Sequence, residues 1–266
     1  STQGVSSAAS DVYKRQTSYR VEILNLVNGV GNGQWLTLTT TTPSTFTNTH
    51  LSLQSNTEYS YRVVAINSYG STTSAVVPIT TFAVPGILTA TTASGTEIDL
   101  SWIATSGSVT YNIYTSADDI TFTQLATGVS GNTYQHTGLN LGQTVYYKYS
   151  VVNAAGESAQ STSVSATTYN VPNSPTGLSL TNPTPTSATL TWTAPTDNGG
   201  DSNISYTLQR STDGINWTSH LGTQNTIIDD TNLVQGTQYY WRVNAVNSAG
   251  IGSVSNTVTY LSLIHI

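Results

Sequence analysis

The side chains able to carry out chemistry are few and widely spaced in this chain of 266 residues. The sequence contains no cysteine, which excludes a thiolate nucleophile, a disulfide and a thiolate metal site. Its four histidines form no His-x-x-x-His or His-Glu pair with metal-binding spacing, and no Gly-x-Ser-x-Gly motif marks a nucleophilic serine. We therefore expect no catalytic residue, no metal site and no cofactor. A catalytic triad assembled from distant residues stays open as an alternative.

Two loops carry residues that also occur in ligand sites. Residues 28–33 are rich in glycine, as phosphate-binding loops are, but the segment from Trp35 onwards predicts a strand and not the helix that such a loop needs. We interpret residues 28–33 as a hairpin loop. Asp197 and Asp201 flank two glycines and offer oxygen ligands of the kind that calcium prefers. Two carboxylates are too few for a calcium site, so we interpret this loop as a solvated turn.

Aromatic side chains are the remaining candidates for ligand contact. Trp35, Phe122 and Trp217 each follow a predicted turn, while Tyr146 and Tyr240 have the outward parity of predicted strands. An exposed ring can stack on a sugar ring, which makes these residues candidates for glycan binding. The alternative is that the rings cover one end of a sheet, because even incomplete burial of a tryptophan contributes about 1.5–3 kcal/mol. The candidate stacking residues are Trp217, Tyr240, Tyr146 and Trp35.

A stretch that occurs three times must position these side chains: residues 58–70, 144–156 and 238–250. In each copy an Asn is followed three residues later by Gly, and apolar or aromatic side chains precede the Asn at every second position. This period of two predicts a strand with one buried face. A basic residue five positions before each Asn has the opposite parity, so Arg62, Lys148 and Arg242 should point to solvent. The aligned turn residues are Asn67, Asn153 and Asn247, with Gly70, Gly156 and Gly250.

The spacing of the copies predicts separate domains. The aligned Asn residues are 86 and 94 residues apart. Solenoid repeats are shorter, about 20–50 residues, whereas a small β-sandwich has about 100. Each copy therefore belongs to a unit with its own core. A polar residue also recurs seventeen positions before each Asn, as His50, His136 and Asp230, and we interpret it as a structural position after a strand.

The pattern Leu…Tyr-x-x-Arg-Val-x-Ala-x-Asn-x-x-Gly resembles strand F and the F–G turn of a fibronectin type III domain. The third copy adds Trp192, Tyr206 and Asp213-Gly214, which resemble strands B and C and the C–C′ hairpin. The resemblance implies an all-β chain of tandem immunoglobulin-like β-sandwiches. It also implies tyrosine corners, from which the second copy departs because Val145 takes the place of the tyrosine. The implied structural residues outside the turn are Trp102, Trp192, Leu53, Tyr59, Leu139, Leu233 and Tyr239.

We predict three units from this resemblance. Residues 17–82 form the first unit, a partial domain without strands A and B, and residues 83–168 and 169–260 form complete second and third units. Without strands A and B, the apolar face of Tyr61, Val63 and Ala65 should be exposed. Residues 1–16 and 261–266 do not match the repeat and resemble translated adapter sequence, so we expect a non-native or disordered lead and tail, and a fragment of a longer product. The alternative for the tail is a real extension of the last strand.

Composition limits the classes of partner. The net charge is −6 and only 8% of residues are charged, so no basic patch indicates a nucleic acid. No apolar run is long enough for membrane insertion. The resemblance implies a non-catalytic spacer or interaction module of a larger secreted or cell-surface microbial protein, and its partners would be other domains of the same chain. The alternative is a module that binds a polysaccharide or a surface protein through the aromatic residues of the C–C′–F–G face.

Overall fold

The computed structural model describes residues 16–27, 30–42, 44 and 47–262. In these residues the regular structure is entirely β, with 21 strands and no helix. The abundance of Thr, Tyr and Val favours strands, and Asn, Gly and Ser favour the turns between them. No segment of the described chain is a helix that could cross a membrane.

The first unit contains one five-stranded antiparallel sheet in its described residues. The strand order is β2-β1-β3-β4, and β5 pairs with the other half of β3. The strands are β1 (Ser18–Val27), β2 (Val30–Thr41), β3 (Glu58–Asn67), β4 (Gly70–Thr73) and β5 (Val77–Thr80). Residues 30–33, predicted as part of a hairpin loop, instead belong to β2, because they continue its pairing with β1 as far as Val30; residues 28 and 29 lie outside the described residues.

The second unit is a sandwich of two sheets. A three-stranded sheet of order β10-β7-β6 faces a five-stranded sheet of order β12-β11-β8-β9, in which β13 also pairs with β11. The strands are β6 (Leu88–Thr92), β7 (Glu97–Trp102), β8 (Thr110–Ser116), β9 (Thr123–Val129), β10 (Thr133–Thr137), β11 (Thr144–Asn153), β12 (Gly156–Glu157) and β13 (Val164–Thr167).

The third unit repeats this arrangement. Its three-stranded sheet has the order β14-β15-β18, and its five-stranded sheet has the order β17-β16-β19-β20 with β21 beside β19. The strands are β14 (Thr176–Thr184), β15 (Ser187–Thr193), β16 (Ser205–Ser211), β17 (Thr218–Thr223), β18 (Ile227–Thr231), β19 (Gln238–Asn247), β20 (Gly250–Val254) and β21 (Val258–Leu261). The fold is therefore all-β with tandem sandwiches, as the sequence predicts.

The cores of the two sandwiches use the predicted strand parity. In β11 the side chains of Tyr147, Tyr149 and Val151 are fully buried, and in β19 those of Trp241 and Val243 are as well. Each core also contains a tryptophan from the smaller sheet. Trp102 stacks on Tyr149 with ring centroids 5.3 Å apart. Trp192 meets Tyr206 edge-on at the same distance of 5.3 Å.

The same face of the first unit is less covered. Val63 occupies the position of Tyr149 and Val243 and is 39% exposed, whereas those two residues are fully buried. The difference has a direct cause, because in the described residues the first unit has no second sheet opposite β3. The exact limits of the three units stay a prediction.

The last strand extends one residue beyond residue 260, the predicted limit of the third unit. Leu261 pairs with Gln238 in the last strand. Ser262 is buried, and its backbone amide donates to the Thr237 carbonyl at 3.0 Å. Both residues are ordered because Gln238, the first residue of β19, and Thr237 before it provide backbone partners for them. Residues 1–15 and 263–266, on which the rest of the lead and tail prediction falls, lie outside the described residues.

Candidate functional site

The candidate aromatic residues stand beside a turn that the sequence builds the same way twice. In the third unit Asp213 accepts hydrogen bonds through Oδ1 from the amides of Ile215 (2.9 Å) and Asn216 (2.8 Å). The Asn216 side chain and these amides hold the pKa of Asp213 well below its usual range. Asp118 does the same in the second unit, and its bond from the Thr121 amide is the largest cause that lowers its pKa to about 2. The turn thus fixes the start of the strand that follows Phe122 or Trp217.

A cation lies over the ring that follows each turn. The guanidinium of Arg242 is 4.1 Å from the centroid of Trp217. The ammonium of Lys148 is 4.0 Å from that of Phe122. In the first unit, Arg62 is 4.1 Å from Trp35. The basic residues therefore lie on the outer face, as their parity predicts, but they cover aromatic rings there. Such pairs contribute about 0.5–1 kcal/mol at exposed sites.

Neighbouring polar groups hold two of these cations in place. Arg242 Nε donates to Gln209 Oε1 at 2.6 Å. Arg62 Nε donates to Glu22 Oε2 at 2.7 Å, and Arg20 Nε donates to Glu22 Oε1 at 2.6 Å. Burial opposes ionisation of Glu22, but the bonds from the two arginines outweigh it, so the pKa of Glu22 lies below its usual value. Trp217 and Trp35 consequently present one covered face each.

The two tyrosines among the candidates are half-buried on strand F of their units. The Tyr240 ring lies over the C–C′ turn, where a Cβ placed on Gly214 would be 3.3 Å from the ring. Tyr146 lies on β11 opposite Ser116. All four candidates, Trp217, Tyr240, Tyr146 and Trp35, are only partly accessible. The structure places them on the outer face of the five-stranded sheets, and a cation of the same unit lies over the rings of Trp217 and Trp35.

The acidic loop of the third unit is occupied by its own hydrogen bonds. Asp201 is buried and accepts from the Ser248 hydroxyl at 2.6 Å and from the Asn203 amide at 2.8 Å. The Ser248 bond is the largest cause that lowers the pKa of Asp201. Asp197 accepts from the Gly199 amide at 2.8 Å. Among the described residues, no group of three His, Asp or Glu side chains is placed to hold a metal ion.

The polar residue that recurs seventeen positions before each turn asparagine contacts β3, β11 or β19 of its own unit, and this contact was not predicted from the sequence. His50 Nδ1 lies 2.9 Å from the Tyr61 hydroxyl, and His136 Nδ1 lies 2.8 Å from the Tyr147 hydroxyl. In the third unit the pair is exchanged for Asp and Trp. The signal was present in the sequence, because the partners are eleven residues apart in all three units.

In the third unit this position becomes a buried charged cluster. Trp241 Nε1 donates to Asp230 Oδ2 at 2.7 Å, and Asp230 is fully buried. Arg210 Nη1 donates to the same carboxylate at 3.1 and 3.2 Å, and His220 Nε2 lies 2.8 Å from Oδ1. The arrangement resembles the acid–base half of a triad, but within the described chain no hydroxyl nucleophile is hydrogen-bonded to His220. Its geometry supports a structural role, since three donors satisfy one buried carboxylate.

The tyrosine corners are present in the first and third units, and a substitute occupies the second. The Tyr239 hydroxyl accepts from the Val234 amide at 3.0 Å, and the Tyr59 hydroxyl accepts from the Gln54 amide at 2.9 Å. In the second unit Val145 has no hydroxyl, and Gln143 Oε1 accepts from the Asn140 amide at 2.9 Å instead. These amides directly follow Leu53, Leu139 and Leu233, of which the last two are buried.

The Asn-x-x-Gly turn has the same geometry in each copy. Asn247 Oδ1 accepts from the amides of Ala249 (2.9 Å) and Gly250 (3.1 Å). Asn67 accepts from its own turn in the same way, and Asn153 accepts from Ala155. The glycines Gly70, Gly156 and Gly250 have φ values of +148°, +116° and +139°, a region that side chains disfavour.

Comparison with known proteins agrees with this geometry. The model of the fibronectin type III domain matches residues 173–260. Exoglucanase B of Cellulomonas fimi is 30% identical over 235 residues, which are 79% of this chain and 20% of that protein. Chitinase A1 of Niallia circulans is 33% identical over 198 residues, which are 69% of this chain and 26% of that protein. The chain thus spans between a fifth and about a quarter of these relatives.

Solved structures align with this chain at a lower level of likeness. Domains of titin align with 19% identity and a TM-score of 0.43, covering 77% of this chain and 75% of that chain. The chicken CNTN1 FN1-FN3 domains align with 16% identity and a TM-score of 0.37, covering 94% of this chain and 91% of that chain. From the matched family model we conclude that residues 173–260 form a fibronectin type III domain, and the second unit repeats the same arrangement of two sheets in tandem with it.

Proposed function

We propose that this chain is a non-catalytic spacer within a larger extracellular or cell-surface protein. The proposal rests on one observation: reactive and aromatic side chains of the chain contact partners within their own unit. Asp230 and Asp201 bind donors of their own unit, and Arg242 covers Trp217. A surface whose polar groups are already paired offers little free energy to a ligand, because binding must first break those pairs.

The relatives support the same proposal. Exoglucanase B and chitinase A1 are named as enzymes, and the chain matches a minor part of each. A domain that recurs in two such enzymes fits the role of an accessory segment that separates other modules. By this reading the partners of the chain are the other domains of its own polypeptide, and its place is outside the cell.

The competing function is binding of a polysaccharide or a surface protein through the aromatic outer face. A pull-down of the full chain with insoluble cellulose and chitin separates the two functions, with a non-binding protein of the same size as the reference. We expect the chain to stay in the supernatant like the reference. Retention that is lost in Trp217→Ala and unchanged in Trp192→Phe would refute the spacer proposal and support binding, since Trp192 lies in the core.

A further inference from the structure

The segment between the second and third units is fixed by backbone hydrogen bonds on both sides. The Tyr169 amide donates to the Ser94 carbonyl of the second unit at 3.1 Å, and the Gly142 amide donates to the Tyr169 carbonyl at 3.2 Å. One residue later, the Asn170 amide donates to the Gly199 carbonyl of the third unit at 2.8 Å. Adjacent residues of the linker are thus bonded to different sandwiches, and this leaves little length for a hinge.

The side chain of Asn247 joins this linker to the F–G turn. Its Oδ1 is used by the turn itself, as described above. Its Nδ2 donates to the Asn170 carbonyl at 2.7 Å and to the Asn198 carbonyl at 2.9 Å. Both ends of one amide are therefore satisfied, the oxygen inside the turn and the nitrogen by the linker at Asn170 and the loop at Asn198. Asn247 is 9% exposed, so water competes weakly for these bonds.

Glycines allow the two units to approach closely at this junction. A Cβ on Gly199 would lie 1.8 Å from the Asn170 carbonyl oxygen. A Cβ on Gly95, in the β6–β7 turn of the second unit, would lie 2.9 Å from the Cβ of Ala249 in the third. Only a residue without a side chain fits at these two places. The two sandwiches are in direct contact there, and the linker alone does not connect them.

The junction between the first and second units uses the same turn. Asn153 Nδ2 donates to the Thr81 carbonyl at 2.9 Å and to Asn56 Oδ1 at 2.8 Å, and both acceptors belong to the first unit. The Asn56 side chain donates in turn to the carbonyl of Ser106 in the second unit. A Cβ on Gly156 would be 3.4 Å from the ring of Phe82. The two junctions differ in their acceptors but share the amide donor.

We propose that the second and third units each dock on the preceding unit through one end, locked by the Nδ2 group of the turn asparagine. This end is formed by the B–C loop, residues 103–109 or 194–204, and by the Asn-x-x-Gly turn. The Asn-x-x-Gly turn thereby has two tasks, closing the β-hairpin and setting the angle between neighbouring units. Domains joined by small polar contacts usually move relative to one another. The inference deepens the proposed spacer function, on which its biological meaning rests, because locked joints would hold the flanking modules at a set distance and orientation.

The test measures the distance between the second and third units in the full chain. The sequence has no cysteine, so Gln124→Cys and Gln224→Cys, at two exposed positions, introduce a single pair of spin labels. Pulsed electron–electron double resonance then reports the distribution of distances between the two spin labels. Asn247→Asp keeps the oxygen that closes the turn but replaces the Nδ2 donor with an oxygen that faces two carbonyls. We expect a narrow distribution in the parent and one about twofold wider in Asn247→Asp, as for domains with a free linker.

The control is Asn153→Asp in the same labelled protein, because it makes the same change in the same turn at the other junction. It should leave the distance distribution unchanged. A second reference carries a Gly-Ser-Gly-Ser insertion between Tyr169 and Asn170, which separates the residue bonded to the second unit from the residue bonded to the third. A parent distribution as wide as that of the insertion would overturn the proposal, and so would a narrow distribution in Asn247→Asp. Equal broadening by Asn153→Asp would also overturn it.

The outcome is separable from that of the spacer proposal. Retention on cellulose or chitin reports on the outer face of a sandwich and does not depend on the angle between units. If Asn247→Asp lowers the stability of the third unit, the comparison of the parent with the insertion reference still decides, since neither protein changes the turn.

Discussion

The charged cluster around Asp230 should stabilise the third unit measurably. In Asp230→Ala, Trp241 Nε1 loses its acceptor in a fully buried site, which costs about 1–3 kcal/mol. The side chains of Arg210 and His220 are 25% and 26% exposed, so water replaces part of what they lose. Each of these two contributes no more than a surface pair, about 0–1 kcal/mol. The midpoints of these ranges together give an expected loss in the free energy of unfolding of about 3 kcal/mol.

Hydrogen exchange followed by mass spectrometry measures this loss in the third unit alone. The amides of β19 report on the third unit, and those of β11 serve as an internal reference in the second. If β19 exchanges through unfolding of its unit, a loss of about 3 kcal/mol accelerates exchange about 150-fold. The amides of β11 should exchange at the parent rate, because the two cores do not share buried residues.

The matched control is Asp229→Ala, the same change one residue away. Asp229 is exposed and accepts a hydrogen bond from the Thr189 hydroxyl at 2.7 Å, so we expect an effect within about 0.5 kcal/mol. Asp230→Asn should fall between the two, because its amide oxygen still accepts from Trp241. Equal exchange rates of β19 in Asp230→Ala and Asp229→Ala would refute the reasoning, since the buried bonds would then contribute nothing.

Three further predictions concern packing, the corner and pH. Gly252→Ala puts a Cβ 2.2 Å from a linker carbonyl and should cost about 1–3 kcal/mol in thermal unfolding, whereas Gly222→Ala, whose Cβ would lie 3.8 Å from its nearest neighbour, should be tolerated. Tyr239→Phe leaves the Val234 amide without its acceptor and should destabilise the third unit by about 1–3 kcal/mol in urea; an unchanged midpoint contradicts this. Burial lowers the pKa of His136 below the ordinary 6.5, so the second unit should lose stability as the pH falls below 6.5, because the unfolded chain binds the proton more readily. In His136→Gln that part of the pH dependence should disappear from the unfolding midpoints.

Much of the fold could be predicted because its signals are local. The alternation that ends at Asn67, Asn153 and Asn247 predicts the central strands, and the structure has β3, β11 and β19 at those places. A strand directs successive side chains to opposite faces whatever surrounds it, so parity can be read without a partner. The predicted limit of the third unit is residue 260, because residues 261–266 do not match the repeat. Leu261 and Ser262 nevertheless pair with Gln238 and Thr237, because pairing uses backbone groups that every sequence has.

The candidate site was less predictable, because exposure depends on residues far away in the chain. Trp217 follows a turn in any reading of the sequence, but the presence of Arg242 over its ring depends on the pairing of β16 with both β17 and β19. The substitution of Gln143 for a corner tyrosine is similar. A glutamine two residues before Val145 has no recognisable pattern, and only the folded loop brings it to the Asn140 amide.

The sequence by itself determined the all-β architecture, the repeat and the turn, since strand parity and glycine at positive φ depend on neighbouring residues alone. Only the tertiary structure decided what these residues do beyond their own strand. It buried Asp230 beside Trp241, placed Arg242 over Trp217 and directed the Asn247 amide to the linker. The physical reason is that each of these contacts needs two segments at hydrogen-bond or van der Waals distance, and sequence separations of 77 residues for Asn170 and Asn247 carry no information about that distance.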